Sequence, residues 1–192
     1  SRGLVGSEMC IRDSPESVPI LPLRNAVLFP GVVIPISATR DKSVKLIKNA
    51  NSNNKLIGVV SQKDSNVSDP TINDVNKIGT VAKILRVLQM PDGNLTIIIQ
   101  GKKRFSIDKL ITETPFITSS INELKEISPK KDNKTFQATI DSIKDLALKI
   151  IDENPNIPTE ASFAIKNIHS NSFLVNFVSS NMNISCLLYT SD

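Results

Sequence analysis

An α+β fold, with a β-rich first part and an all-helical second part, follows from three observations. Short runs of β-branched and aliphatic residues fill the chain up to about residue 127. Two of those runs, 79–88 and 95–100, flank the turn sequence Pro91-Asp92-Gly93-Asn94. After Pro129 the apolar residues recur every three or four positions, which is the period of a helix buried on one face.

The elements follow in order. The run 18–23 is apolar but broken by Pro19 and Pro22, so it reads as an edge strand or an extended entry. A loop at 25–31 separates it from a second broken run, 32–37, with Pro35 inside. Asp41 can cap a helix in which Val44, Ile47 and Ala50 share a face, and which ends in the Asn-rich stretch 49–54. Residues 56–61 read as a buried strand, and the polar stretch 62–77 as a long loop. In the next pair of strands, Pro91 presets φ and Gly93 takes the left-handed position, as a hairpin needs. Gly101 allows a bulge before a strand over 104–111, and 116–124 alternates as one more strand. In the helical part, Phe136, Ile140, Ile143, Leu146, Ala147 and Ile150 form one stripe. Asn154 to Pro158 breaks it, Thr159 can cap a second helix carrying Ala161, Ala164, Ile165 and Ile168, and Ser170 or Ser172 a third carrying Phe173, Leu174, Phe177 and Val178.

Bulk composition narrows the class. The 192 residues are 40% hydrophobic and 22% charged, with a formal charge of +4, as in an ordinary soluble protein. No apolar run approaches the roughly 20 residues that span a bilayer, and no membrane partner is expected. The stretch 4–11 is too short and polar for a signal peptide, and Glu8 interrupts it. The first 14 residues, SRGLVGSEMCIRDS, and the last seven, CLLYTSD, resemble translated sequencing-adaptor read-through and are expected to be non-native. The expected organisation is a β-rich lobe at 15–127 and a helical lobe at 128–185. Residues 15–185 carry +5 and hold no Cys, Tyr or Trp, since Cys10, Cys186 and Tyr189 lie in the two ends. That fits a cytoplasmic location and excludes disulfide staples and thiolate metal sites.

Catalytic constellations are missing. His169 is the only histidine, so neither a histidine metal cluster nor a site needing two histidines can be built; it reads as an exposed residue at a helix end. No Gly-x-Ser-x-Gly elbow and no phosphate-binding Gly-x-x-x-x-Gly-Lys-Ser/Thr loop occurs. Ser–Lys neighbours occur, but at the rate abundant residues produce by chance. The cluster Lys102-Lys103-Arg104 beside Phe105 offers charge for single-stranded nucleic acid, yet stacking platforms are scarce without Trp or Tyr. Strand alternation puts Phe105 and Ile107 on one face and Lys102, Arg104 and Ser106 on the other, so a core Phe beneath a charged face is the better reading. Nucleic acid is therefore disfavoured as a partner.

A set of short motifs then carries a resemblance. Leu21-Pro22-Leu23-Arg24-Asn25 and Val27 to Pro30 resemble the opening of the N-terminal region of Lon-type ATP-dependent proteases. Val33-Ile34-Pro35, Arg40, Lys42-Ser43, Gln62-Lys63 and Asp74-Val75 follow in the same order. So do Gly79-Thr80-Val81-Ala82, Ile84-Leu85, Pro91-Asp92-Gly93 and Gly101 with Arg104-Phe105. The stretch 154–180 is similar to the helical half of that region, so the resemblance covers nearly all of 17–185.

It implies a PUA-like β-rich lobe, a partly open barrel with one or two short helices, followed by the helical lobe. It also implies a substrate-recognition role: capture of unfolded, damaged or degron-bearing proteins for a hexameric enzyme. The AAA+ module, which takes ATP and Mg, and the Ser–Lys peptidase module would lie outside this chain. No catalytic or cofactor-binding residue can be carried over, so this chain is expected to have no enzyme activity, cofactor or metal of its own. A standalone interaction domain of the same type and a PUA-like RNA-binding domain are the competing readings. Capture of many sequences needs exposed apolar surface. The expected surface is the loop Val27, Leu28, Phe29, Pro30 with Val32 and Val33, and the hairpin tip Leu88, Met90 and Pro91, where Met adapts to varied partners.

Overall fold

A computed structural model describes residues 17–91, 94–127, 129, 133–154, 157 and 160–182. The first strand, β1 (Ser17–Leu23), runs beside β3 (Leu56–Ser61) in parallel; between them lie β2 (Val33–Ala38) and helix α1 (Asp41–Ser52). A short 3-10 turn, Ile72–Asp74, leads to β4 (Ile78–Gln89), the long β5 (Leu95–Thr112) and β6 (Thr118–Glu123). Helices α2 (Lys134–Glu153), α3 (Glu160–Lys166) and α4 (Asn171–Asn181) complete the chain. The β-rich part followed by a helical part is the architecture expected.

One mixed sheet holds the strands in the order β2-β5-β4-β3-β1-β6, and β6 also pairs with β5. The 18 residues of β5 make this possible. Its first half pairs with β2 and β4, and its second half, from Phe105 on, pairs with β6. β5, β4, β3, β1 and β6 thus form a closed ring, with β2 attached to one side. Two bulges bend the long hairpin. Val81 faces Lys103 and Ala82 faces Gly101, so Lys102 is the extra residue, next to the glycine expected to permit it. Ile84 faces Ile99 and Arg86 faces Ile98, which makes Leu85 the second and turns it outward. At the hairpin end, Met90 N–H donates to the Asn94 carbonyl (2.9 Å); Asp92 and Gly93 lie outside the described residues. Pro22 of β1 sits where no ladder donor is required. Ile20 N–H points to Ile117 O, so alternation turns Pro22 to the same side, away from β3.

The sheet carries two apolar cores. One joins Leu21, Ile57, Ile84, Ile97 and Ile99 to the inner face of α1 through Leu46, Ile47 and Ala50. The other surrounds Phe105 with Val18, Ile20, Val60, Val75, Val81 and Ile121. Because β3 contributes Ile57 and Val59 to the first and Val60 to the second, both of its faces are buried, as for a strand in a parallel pair.

Two expectations gain detail. The stretch 62–77 is a long loop, interrupted by the 3-10 turn Ile72–Asp74, and it is held in place. Gln62 is buried; its amide donates to Val67 O and Asp64 O and accepts from Arg40 Nη2 at 2.6 Å, while Val75 enters the core. Satisfying the amide of Gln62 this way pins a polar segment that has little apolar surface of its own. The stripe on α2 also splits. Ile140, Ala147 and Ile151 face α3 and α4, whereas Leu146 and Ile150 are exposed. Asn133 caps α2 by accepting from Phe136 N–H (3.0 Å), and Ser170, rather than Ser172, caps α4 by accepting from Phe173 N–H (3.2 Å). Thr159, the cap expected for α3, lies outside the described residues, as do both terminal segments with Cys10, Cys186 and Tyr189. The two lobes meet where Phe173 covers Gly31, whose φ is +81°, and Asn176 donates to Pro30 O at 3.2 Å.

Candidate functional site

The loop before β2 is stitched to β4 and β5. Thr80 Oγ donates to Leu28 O (2.7 Å, buried), Gly31 N–H to Gly101 O (2.9 Å), and Gly101 N–H to Val32 O (2.9 Å). Gly101 has no side chain because a Cβ there would collide with the Phe29 carbonyl. These bonds turn the apolar side chains inward: Leu28, Phe29 and Val32 are 4%, 9% and 8% exposed. The expectation that they present a capture surface is therefore corrected. Val27 and Pro30 are half-buried. Gly101 held the available hint, since a glycine inside a strand can mark a close backbone approach as well as a bulge.

The remaining expected residues lie outside. Val33, Leu88 and Met90 are 49%, 41% and 44% exposed, and Pro91 is exposed. Pairing shows which of them share a face. Ile34 and Ile36 of β2 turn to the core, so Val33, Pro35 and Ser37 turn out, opposite Gln100, Ile98 and Thr96 of β5. Across β5, Thr96 faces Leu88 and Ile98 faces Arg86. Cross-strand partners project to one side of a sheet, so Val33, Pro35, Ile98 and Leu88 form one outward apolar patch with Met90 at its end. Pro35 and Ile98 were absent from the expected set. Their signal was the alternation Leu95, Ile97, Ile99 inward against Thr96, Ile98, Gln100 outward, which becomes readable only once the buried face of β5 is known.

A second concavity, of about 1220 Å³, opens between the lobes. Lys102, Lys103 and Arg104 line one wall, and Glu123 and Glu126 line it too; Phe136 and Val175 come from the helices. Lys103 pairs with Glu123 at 2.7 Å, and Lys102 donates to Gln100 Oε1 at 2.7 Å. Phe105, beside them in sequence, is fully buried and offers the cluster no stacking face; the aromatic that shares the groove is the half-buried Phe136 of α2. His169 is exposed at the groove wall, next to the cap of α4. A smaller slot of about 240 Å³ separates the end of β1 from the outer edge of β2, and its charged lining residues are Arg24 and Arg40. Burial, and secondarily the Arg24 charge, lower the pKa of Arg40, partly offset by Asp69. Among the described residues, no three His, Cys, Asp or Glu side chains are grouped to hold a metal ion. No helix among them is long and apolar enough to cross a membrane.

Comparison with known proteins agrees with the resemblance. Residues 17–186 match the family described as the ATP-dependent protease La (LON) substrate-binding domain. A Lon protease of Flavobacterium johnsoniae is 62% identical over 178 residues, covering 93% of this chain and 22% of the relative. One of Cytophaga hutchinsonii is 47% identical, covering 92% and 22%. In fold, the chain is similar to the N-terminal domain of Mycobacterium avium complex Lon protease, with a TM-score of 0.72 at 19% identity, over 91% of this chain and 87% of that one. The chain thus spans about a fifth of the length of the curated relatives it matches.

Proposed function

Since the chain belongs to the family of Lon protease substrate-binding domains, we propose that it captures unfolded, damaged or degron-bearing proteins for degradation by modules outside it. The observation that supports this reading is the outward patch of Val33, Pro35, Ile98 and Leu88, ending at Met90. Val33, Pro35, Ile98 and Leu88 offer apolar contact without a charged side chain among them, while Ser37, Thr96, Gln100 and Arg86 of the same face flank them, so the patch suits many sequences. In the same reading, the whole protein is an ATP-dependent serine endopeptidase that works as a cytoplasmic hexamer. ATP and Mg bind to its AAA+ module, and a Ser–Lys module cuts the substrate.

Burying about 200 Å² of apolar surface at ~25 cal/mol per Å² gives ~5 kcal/mol before the losses of association, so one copy binds no tighter than about 0.2 mM. Assembly into a hexamer raises avidity without new contacts. The test is a titration with a reduced, carboxymethylated protein that cannot fold. Leu88→Ser with Met90→Ser is expected to weaken binding about tenfold with an unchanged circular dichroism spectrum, and binding should survive high salt. A single-stranded RNA titrated alongside serves as the alternative ligand. RNA binding that falls steeply with salt and is lost in Lys102→Ala with Arg104→Ala, while the Leu88 and Met90 replacements change nothing, would replace this reading.

A further inference from the structure

We propose that β2 is a docking strand: an extended, acidic segment of a substrate chain adds to its free edge, with a carboxylate held between Arg24 and Arg40. This rests on the substrate-binding reading and specifies how a substrate is held.

The argument begins with backbone polarity. Val32 O accepts from Gly101 N–H, so strand alternation directs the peptide groups of Ile34, Ile36 and Ala38 to β5. Those of Val33, Pro35 and Ser37 point the other way, and among the described residues no strand pairs with that edge. It presents two N–H donors, of Val33 and Ser37, and three carbonyls. β1 lies across the slot, but Pro22 is the β1 residue turned toward it and has no N–H to give. The two proline-bearing edges therefore face one another with too few donors to zip together, and β2 keeps a free edge beside the closed ring. An incoming extended backbone supplies the missing donors and meets the Val33 and Ser37 N–H groups with its own carbonyls, which is strand addition at a sheet edge. Its alternate side chains would extend the outward apolar patch beside Val33 and Pro35.

Charge selects the occupant further. Arg24 and Arg40 are the charged residues that line the slot, and both are positive. Gln62 Oε1 holds the Arg40 guanidinium in place at 2.6 Å. A carboxylate entering here relieves the repulsion between the two cations and accepts charge-assisted hydrogen bonds.

The test uses the 192-residue chain, nitrogen-15 labelled, and two acetylated, amidated hexapeptides, Val-Thr-Val-Asp-Val-Thr and its Asn counterpart. Saturation with the Asp peptide is expected to slow amide exchange at Val33 and Ser37 about tenfold or more. Arg24→Gln should weaken the Asp peptide about fivefold and leave the Asn peptide unchanged. Ser37→Pro, which removes an outward N–H that no ladder uses, should weaken both about tenfold. Unchanged exchange at Val33 and Ser37 under peptide, or equal binding by Ser37→Pro, overturns the docking strand. If the wild-type chain still captures the denatured protein in that case, only the docking strand fails. If it captures neither peptide nor denatured protein, the substrate-binding reading falls with it.

Discussion

The ring of strands closes around Phe105, and the way its side chain is gripped can be tested by pairing substitutions. A Cβ on Gly58 would stand 2.9 Å from Phe105 Cζ, 2.8 Å from Ile20 Cδ1 and 2.9 Å from Val18 Cγ2; all three obstacles are ends of side chains. A Cβ on Gly79 would also stand 2.9 Å from Phe105 Cζ, but its nearest neighbours include the Val59 carbonyl oxygen at 2.5 Å, which belongs to the backbone of β3. Overpacking a core costs about 1–3 kcal/mol, and replacing Gly by Ala returns about 0.4–1 kcal/mol through the unfolded state. Each alanine should therefore destabilise by a net ~1–2 kcal/mol. Phe105→Leu removes the ring tip at roughly 2 kcal/mol, less than the 3–5 kcal/mol of full truncation. In the double variant Gly58→Ala with Phe105→Leu, the vacated space should accept the new methyl and give a favourable coupling of about 1 kcal/mol. In Gly79→Ala with Phe105→Leu the carbonyl clash persists, and the coupling should stay under about 0.5 kcal/mol. Urea unfolding followed by far-ultraviolet circular dichroism measures both cycles, since the chain has no Trp. A coupling in the Gly79 cycle equal to or larger than that in the Gly58 cycle would refute this account of the packing.

Two further outcomes are expected. Gln62→Leu leaves the carbonyls of Asp64 and Val67 and the Arg40 guanidinium short of a partner, so stability should drop by about 1–3 kcal/mol and the segment 64–69 should become open to limited proteolysis; an unchanged midpoint and cleavage rate would show that Gln62 does not pin this segment. Asp74 accepts from Thr71 N–H (2.9 Å) and Thr71 Oγ (2.7 Å), which lowers its pKa, the backbone bond contributing most. Because the folded pKa is depressed, the stabilisation is present above the ordinary carboxylate pKa of about 3.9 and is lost as pH falls through the folded value. A carboxyl-detected titration of Thr71→Val should move the Asp74 midpoint only part of the way back up, with a complete return contradicting the leading role of the backbone bond.

Much of this protein was legible in one dimension because the signals are local. Period-2 and period-3.6 runs, the turn at Pro91, a serine cap at Ser170 or Ser172 and the glycine beside the bulge each depend on residues within a few positions of one another. The ordered motifs from Leu21 to Phe105 carried the family resemblance, and the exposed hairpin tip at Leu88 and Met90 followed from turn chemistry. The placement of the 26–32 loop could not be read this way. Whether Leu28 and Phe29 face water depends on Thr80 and Gly101, which are 52 and 72 positions away, and an apolar loop looks the same whether or not such partners exist. The split of the α2 stripe is of the same kind: Leu146 and Ala147 are neighbours in sequence, and only the positions of α3 and α4 decide which is covered. Local chemistry determined which segments become strands and helices, while tertiary structure decided which of their apolar faces remain for a partner, because burial depends on contacts between segments distant in sequence.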